Sequence, residues 1–221
     1  MQEYDGLLVE TITNGPFAEN CFLVADPTTK KAIVIDPGDE HERVVKIVEQ
    51  AAVTVVEIVN THGHIDHAGS VAPLKRALKV PFAIHPADRP WLENLAASAA
   101  MFGLPPKETP DVDRELAHDQ ALQVGDVTGR VLHTPGHTEG GCCLYFPDQK
   151  VVFVGDTLFA GSIGRTDLPG GSMSTLMKSI REQLLNLGDD VVVFSGHGPE
   201  TNIGTERRSN PFLRPGASFT L

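Results

Sequence analysis

One stretch constrains this chain more than any other. The β-branched run Val53–Val59 is followed at once by the polar loop Asn60-Thr61-His62-Gly63-His64-Ile65-Asp66-His67-Ala68. Such a run reads as a strand buried on both faces, which the parallel sheets of layered α/β proteins require. The loop then packs four metal-capable side chains into the six residues from His62 to His67. In extended backbone, residues i and i+2 point the same way, so His62 and His64 can grip one ion. A turn into a helix lets Asp66 and His67 aim at a second ion beside it, and Gly63 lets the backbone pass closely. Imidazole with carboxylate suits Zn²⁺, Fe or Mn. Satisfying four such groups without an ion costs stability, and a metal is their simplest partner.

Three later segments share one layout, a strand followed by a glycine-flanked polar residue. Leu132-His133-Thr134-Pro135-Gly136-His137 presents His137, Val152-Phe153-Val154-Gly155-Asp156 presents Asp156, and Val193-Phe194-Ser195-Gly196-His197 presents His197. Taken singly, each reads as a turn residue or a satisfied hydrogen-bonding group. Open α/β sheets, however, place their sites at the carboxyl ends of strands. Five of the nine His are the candidate ligands that these four motifs present. His133 reads as support for His137, His85 as a rim residue, and His41 and His118 as solvated.

Alternation and turn residues predict strands near Leu7–Thr13, Cys21–Ala25, Ala32–Ile35, Phe82–Ile84, Arg130–His133, Cys142–Phe146, Val151–Val154 and Val191–Phe194. Helical spacing predicts helices over Glu40–Ala51, Ser70–Lys79, Pro86–Gly103 and Ser174–Leu187. Two halves built alike point to a layered α/β protein with two sheets. The 221 residues suit a single domain over 1–221, with a loosely packed tail from Thr205 to Leu221. The net charge of −11 argues against nucleic-acid and membrane partners. No apolar run approaches the ~20 residues of a membrane helix, and no signal peptide is visible. Three Cys, two of them adjacent at Cys142 and Cys143, form no disulfide framework, so a cytoplasmic, reduced protein is expected. Cys142 and Cys143 read as packed side chains beginning a strand, not as nucleophiles.

Taken together, Thr-His-Gly-His-Ile-Asp-His, Pro-Gly-His-Thr, Gly-Asp-Thr-Leu-Phe and Gly-His-Gly resemble the signature of the metallo-β-lactamase fold superfamily. Their order and spacing resemble its glyoxalase II branch, in the short single-domain bacterial form. The resemblance implies a four-layer αββα sandwich with two divalent metals at one edge, Zn first and Fe or Mn as alternatives. It maps His62, His64 and His137 to one metal and Asp66, His67 and His197 to the other, with Asp156 bridging. Lactamases of this fold usually carry Cys or Ser at the position of Asp156, so antibiotic hydrolysis is not expected.

The activity implied is hydrolysis of a small-molecule thioester, S-lactoylglutathione or a related acyl-glutathione. Two ions lower the pKa of bound water from near 16 to roughly 7, and the bridging hydroxide attacks the carbonyl while Asp66 helps orient it. A thiolate of parent pKa ~8.5 leaves without a strong acid. Long members of the branch carry a C-terminal helical domain that binds glutathione, and this chain is expected to lack it. Arg165 is the candidate substrate contact, for a carboxylate. Asp167 stands where the long members have an aromatic. Two other readings stay open: a mononuclear iron persulfide dioxygenase using His62, His137 and Asp156, and a non-enzymatic metal-binding module. A nuclease of the superfamily is disfavoured by charge. Oligomeric state is not legible.

Overall fold

Strict alternation along the central strands sorts the apolar side chains into three separate cores. The computed structural model describes residues 1–214. Seven strands form the first sheet in chain order: β1 (Gln2–Tyr4), β2 (Leu7–Asn14), β3 (Glu19–Ala25), β4 (Lys31–Ile35), β5 (Thr54–Val59), β6 (Phe82–Ile84) and β7 (Arg114–Glu115). The second half supplies β8 (Ala121–Val124), β9 (Val127–His133), β10 (Cys142–Phe146), β11 (Val151–Gly155), the hairpin β12 (Leu158–Phe159) and β13 (Ser162–Ile163), then β14 (Val192–Ser195) and β15 (Thr201–Asn202). The second sheet runs β15-β14-β11-β10-β9-β8. Seven α-helices connect them: α1 (His41–Ala51), α2 (Ile65–Ala68), α3 (Val71–Leu78), α4 (Arg89–Glu93), α5 (Leu95–Met101), α6 (Met173–Ser179) and α7 (Ile203–Ser209).

On β4, Ile33 and Ile35 face the second sheet, where they meet Leu144, Phe146 and Phe153. Ala32 and Val34 face the other way, onto Val44, Val48 and Leu74 of α1 and α3. On the second sheet, Cys143, Val152 and Val154 turn outward onto Leu176 of α6 and Ile203 of α7. Helix, sheet, sheet, helix is therefore the layer order, the αββα sandwich expected. The mixed pairing matters for the site. β4, β5 and β6 run parallel, as do β11 and β14. β9 is antiparallel to β10 and β10 to β11, so β9 ends at the same edge as β11.

Several expectations shift. The single helix over Pro86–Gly103 is instead a 3₁₀ turn at Pro86–Asp88, then α4, then α5, broken at Asn94. Pro90 cannot donate within a continuous helix and starts α4 instead. The helix expected over Ser174–Leu187 is α6 followed by a π turn at Ile180–Leu184. Glu57 interrupts the run Val53–Val59, and Arg114 of β7 pairs with it bidentately at 2.8 and 2.6 Å. The tail expected to pack loosely from Thr205 is ordered at its start. Glu206 of α7 is 1% exposed and accepts from Gly161 N, Thr201 Oγ1 and Asn210 Nδ2. Residues 215–221 of that tail lie outside the described residues. Among the described residues no helix is long and apolar enough to cross a membrane.

Asp26 joins the two sheets at the far edge. Its carboxylate accepts from Thr28 N and Thr29 Oγ1 in its own turn and from Asp126 N in the β8–β9 turn, at 2.8, 2.6 and 2.9 Å. Gly125, at φ +63°, lets the turns touch, since a Cβ there would lie 2.0 Å from Thr29 Oγ1. Burial raises the Asp26 carboxyl, but the three donors outweigh it and hold it at about 2. Asp26→Ala should cost about 2–3 kcal/mol in chemical denaturation near neutral pH. A depressed carboxyl stabilises above its unfolded value of ~3.9, so the difference from wild type should shrink as pH falls from about 4 toward 2.

Candidate metal centre

Strand ends bring the histidines together. β5 ends at Val59 and runs into Thr61–His64. β9 leads to His137, β11 to Asp156 and β14 to His197. Two groups share no member, His62 with His64 and His137, and Asp66 with His67 and His197; a third, Asp36 with His62 and His67, overlaps both. In each, the ligand atoms lie within 4.8 Å of one another. Asp156 lies between them, with Oδ1 3.4 Å from His67 Nε2 and Oδ2 3.6 Å from His137 Nε2 and 3.7 Å from His197 Nε2. All seven side chains singled out from the sequence as metal ligands meet in this one place. His62, His64, His67 and His137 are buried, while Asp66, Asp156 and His197 keep some exposure.

The donor set fits divalent cations. His62 Nε2, His64 Nε2, His67 Nε2 and Asp156 Oδ1 are buried with no hydrogen-bond partner. Native structures rarely tolerate such orphans, and here they fall on neighbouring side chains, with His67 Nε2 3.4 Å from Asp156 Oδ1 and His64 turning its other nitrogen, Nδ1, to His137 Nε2 at 2.9 Å. Desolvation, then the neighbouring imidazoles, pushes His62 far below the usual histidine range and His64 down to about 3. Both are therefore neutral and offer lone pairs. Burial works against charge on His67 and His197 as well, but Asp156 and Asp66 beside them raise both. Cations bound here would replace those protons.

A buried network fixes which nitrogen faces inward. Asp36 Oδ1 accepts from Thr61 N at 2.7 Å, and Oδ2 accepts from Thr61 Oγ1 at 2.5 Å and from His67 Nδ1 at 3.1 Å. Because the Thr61 hydroxyl donates to Asp36, it accepts from His62 Nδ1 at 3.1 Å. His137 Nδ1 donates to the Arg165 carbonyl at 2.8 Å. His62, His67 and His137 thus spend Nδ1 on the surrounding protein, the usual outer support of metal-binding histidine, while His137 Nε2 turns inward and meets His64 Nδ1 at 2.9 Å.

Other braces hold the loops. Asn60 Nδ2 donates to the carbonyls of His67 and His62. Asp88 is fully buried and accepts from Gly63 N, Thr138 Oγ1 and Gly140 N at 2.9, 2.8 and 2.7 Å. It thereby ties the His64 loop to the His137 loop. Asn20, on β3, donates through Nδ2 to Ser195 O and Gly198 O and so ties the His197 loop to the first sheet. Trp91 sets its ring 4.3 Å from His64 at 88°. Sequence reasoning named none of these as site residues. Asp36 carried a signal, since it ends the strand beside β5. Asp88 and Asn20 carried none locally.

The remaining histidines and cysteines fall outside the centre. His133 Nε2 donates to Glu139 O in the His137 loop, so its support is indirect, and its ring stacks on His85 at 4.2 Å. His118 is exposed and accepts from His133 N. Cys142 and Cys143 are buried free thiols, and desolvation raises both. The Arg165 guanidinium is mostly exposed and forks onto Asp167 at 2.8 and 2.7 Å.

The comparisons agree with this geometry. Residues 14–197 match the metallo-β-lactamase superfamily, and the chain belongs to it. It is 40% identical to the hydroxyacylglutathione hydrolase GloC of Haemophilus influenzae, over 93% of this chain and 97% of that one. Among solved structures it superposes on BLEG-1, a B3 metallo-β-lactamase, with a TM-score of 0.88 and 36% identity, over 94% of this chain and 100% of that one. It superposes on TTHA1623 in a di-iron-bound form with a TM-score of 0.85 and 40% identity, over 93% and 100%. The superfamily and the donor set make this a protein of the metallo-hydrolase class, built for divalent metal.

Asp88→Ala strips three donors of their acceptor while leaving all seven candidate ligand side chains of the centre unchanged. Metal affinity should fall about 10- to 100-fold, read by competition with a chromophoric chelator. Unchanged affinity would remove Asp88 from the support of the centre.

Proposed function

We propose that this chain is a hydrolase that holds two divalent cations and cleaves a small acyl-glutathione thioester, of which S-lactoylglutathione is the first candidate. The observation that carries the reading is the convergence of two complete trios on one carboxylate, Asp156, which lies between them. A mononuclear site would need only His62, His137 and Asp156, and would leave Asp66, His67 and His197 gathered without a task. His62, His64 and His137 would hold the first ion and Asp66, His67 and His197 the second. Zinc or iron suits these donors, and the 40% identical neighbour in di-iron form keeps iron in view. When bound, the pair supplies a hydroxide nucleophile at neutral pH and polarises the thioester carbonyl.

The protein's own groups do the positioning. Asp66 is held ionised by His67 and His197 against its burial. Its Oδ2 lies 3.2 Å from His197 Nε2, where it can accept a hydrogen bond from the nucleophile and fix its direction. Arg165 stands beside the first trio through its carbonyl bond to His137. A substrate carboxylate would exchange for Asp167 on its guanidinium fork. No general acid is required, because the thiolate leaves readily.

Metal content should come to two ions per chain, with turnover of S-lactoylglutathione and no oxygen uptake with glutathione persulfide. One iron with oxygen consumption would overturn the reading, and faster turnover of a β-lactam than of any thioester would redirect it. Asp156→Ala should lower kcat/KM by several orders of magnitude, because it removes a donor from both sites. Chelation should lower Tm, since metal at about 100 times its Kd contributes about 2.7 kcal/mol to the folded state.

A further inference from the structure

His64 differs from its neighbours in the nitrogen that it turns inward. Its Nδ1 lies 2.9 Å from His137 Nε2, whereas His62, His67 and His137 give Nδ1 to the protein around them. His137 has committed its Nδ1 proton to the Arg165 carbonyl, so its Nε2 is a lone pair. For the two facing nitrogens to hold one cation, His64 Nδ1 must be a lone pair as well. The one proton of the neutral His64 ring then belongs on Nε2. That atom is buried, and no oxygen or nitrogen among the described residues accepts from it. A buried N–H left without an acceptor weakens the tautomer that carries it.

Three rings lie against His64. His62 and His137, at 4.8 and 4.6 Å between centroids, would spend their inward nitrogens on the same cation and have no acceptor to offer. The third is Trp91 of α4, nearest of the three at 4.3 Å and 88°. A perpendicular aromatic ring accepts an N–H through its π face, and indole has the most electron-rich face of the aromatic side chains. The chain seats the indole there from both sides. Leu92, 2% exposed, anchors α4 in the core. Gly63 leaves the room, because a Cβ at that position would lie 2.8 Å from Trp91 Cβ.

We propose that Trp91 is a positioning residue for the first cation: its indole face takes the Nε2 proton of His64 and so leaves Nδ1 free as the ligand atom. The inference rests on the two-cation reading and adds a support to its first site. Without a cation, the same proton sits on Nδ1 and bridges His64 to His137 Nε2. With one, a proton leaves Nδ1 and one arrives at Nε2, so the ring stays neutral, and Trp91 lowers the cost of that exchange.

The test is proton NMR of the zinc-loaded protein with its histidine nitrogens labelled. The Nδ1 protons of His62, His67 and His137 point at oxygen and should resonate far downfield. The Nε2 proton of His64, over the indole face, should be shielded and resonate upfield of all three. In Trp91→Leu that shielding should vanish, and zinc affinity, read by chelator competition, should fall about fivefold to tenfold. Leucine keeps the site dry, so water does not replace the lost acceptor. Trp91→Phe keeps a π face and should stay within about twofold of wild type. Trp91 is half-buried on a short helix, and circular dichroism checks that both variants fold. A His64 proton as far downfield as the others, or an affinity unchanged in Trp91→Leu, overturns the role of Trp91 and leaves the two-cation reading standing. A protein that takes up no zinc overturns that reading and the role with it.

Discussion

The centre depends first on Asp36. This residue closes β4 in the left-handed region, at φ +50°. One carboxylate there receives the Thr61 amide, the Thr61 hydroxyl and the His67 imidazole. Those three bonds fix the path of the loop out of β5 and the tautomers of His62 and His67 together. Inside a dry site each such bond is stronger than at the surface, and each is costlier to leave unmade. The strain at φ +50° is the kind that persists only where surrounding structure over-determines it. Gly155 shows how tightly this is drawn, since a Cβ there would lie 2.2 Å from Thr61 Oγ1.

Much of this was legible in the chain itself, for identifiable reasons. A metal site at strand ends writes itself locally, as polar residues flanked by glycine after β-branched runs, and so His62, His64, Asp66, His67, His137, Asp156 and His197 stood out. Two halves built alike pointed to a layered α/β protein with two sheets, and the four-layer order came from the resemblance of the motifs to the metallo-β-lactamase fold superfamily. What escaped was non-local. Asp88 looks like any acid before a proline-led helix, and its value comes from three donors that folding delivers from 25 to 52 positions away. Asn20 looks like an ordinary strand residue until β14 arrives from 175 positions further on. The break at Asn94 was hidden because an alanine-rich segment keeps helical periodicity across it. Glu206 was read as part of a loose tail because a buried acid declares itself only through its donors.

Electrostatics give the site its selectivity of state. The chain is strongly acidic overall, yet the centre gathers five imidazoles and holds two of them neutral by burial and by the neighbouring imidazoles. The carboxylates sit where they raise His67 and His197 and leave His62 untouched by compensation. The two halves of the centre thus differ in proton affinity before any cation arrives. The more polarised half, around Asp66, is also the more exposed, which suits a place where water and substrate enter.

The loop braces have one more consequence. His62, His64, Asp66 and His67 come from the first half of the chain, whereas His137, Asp156 and His197 come from the second. The cysteines are free, so no disulfide links the halves. Cations shared between these donors would act as removable cross-links across the sheet-to-sheet seam. Together with Asn20 on one edge and Asp26 on the other, they would close the sandwich like clasps at both ends of a book. Catalytic readiness and the mechanical integrity of the two halves then become one property, set by the same ions.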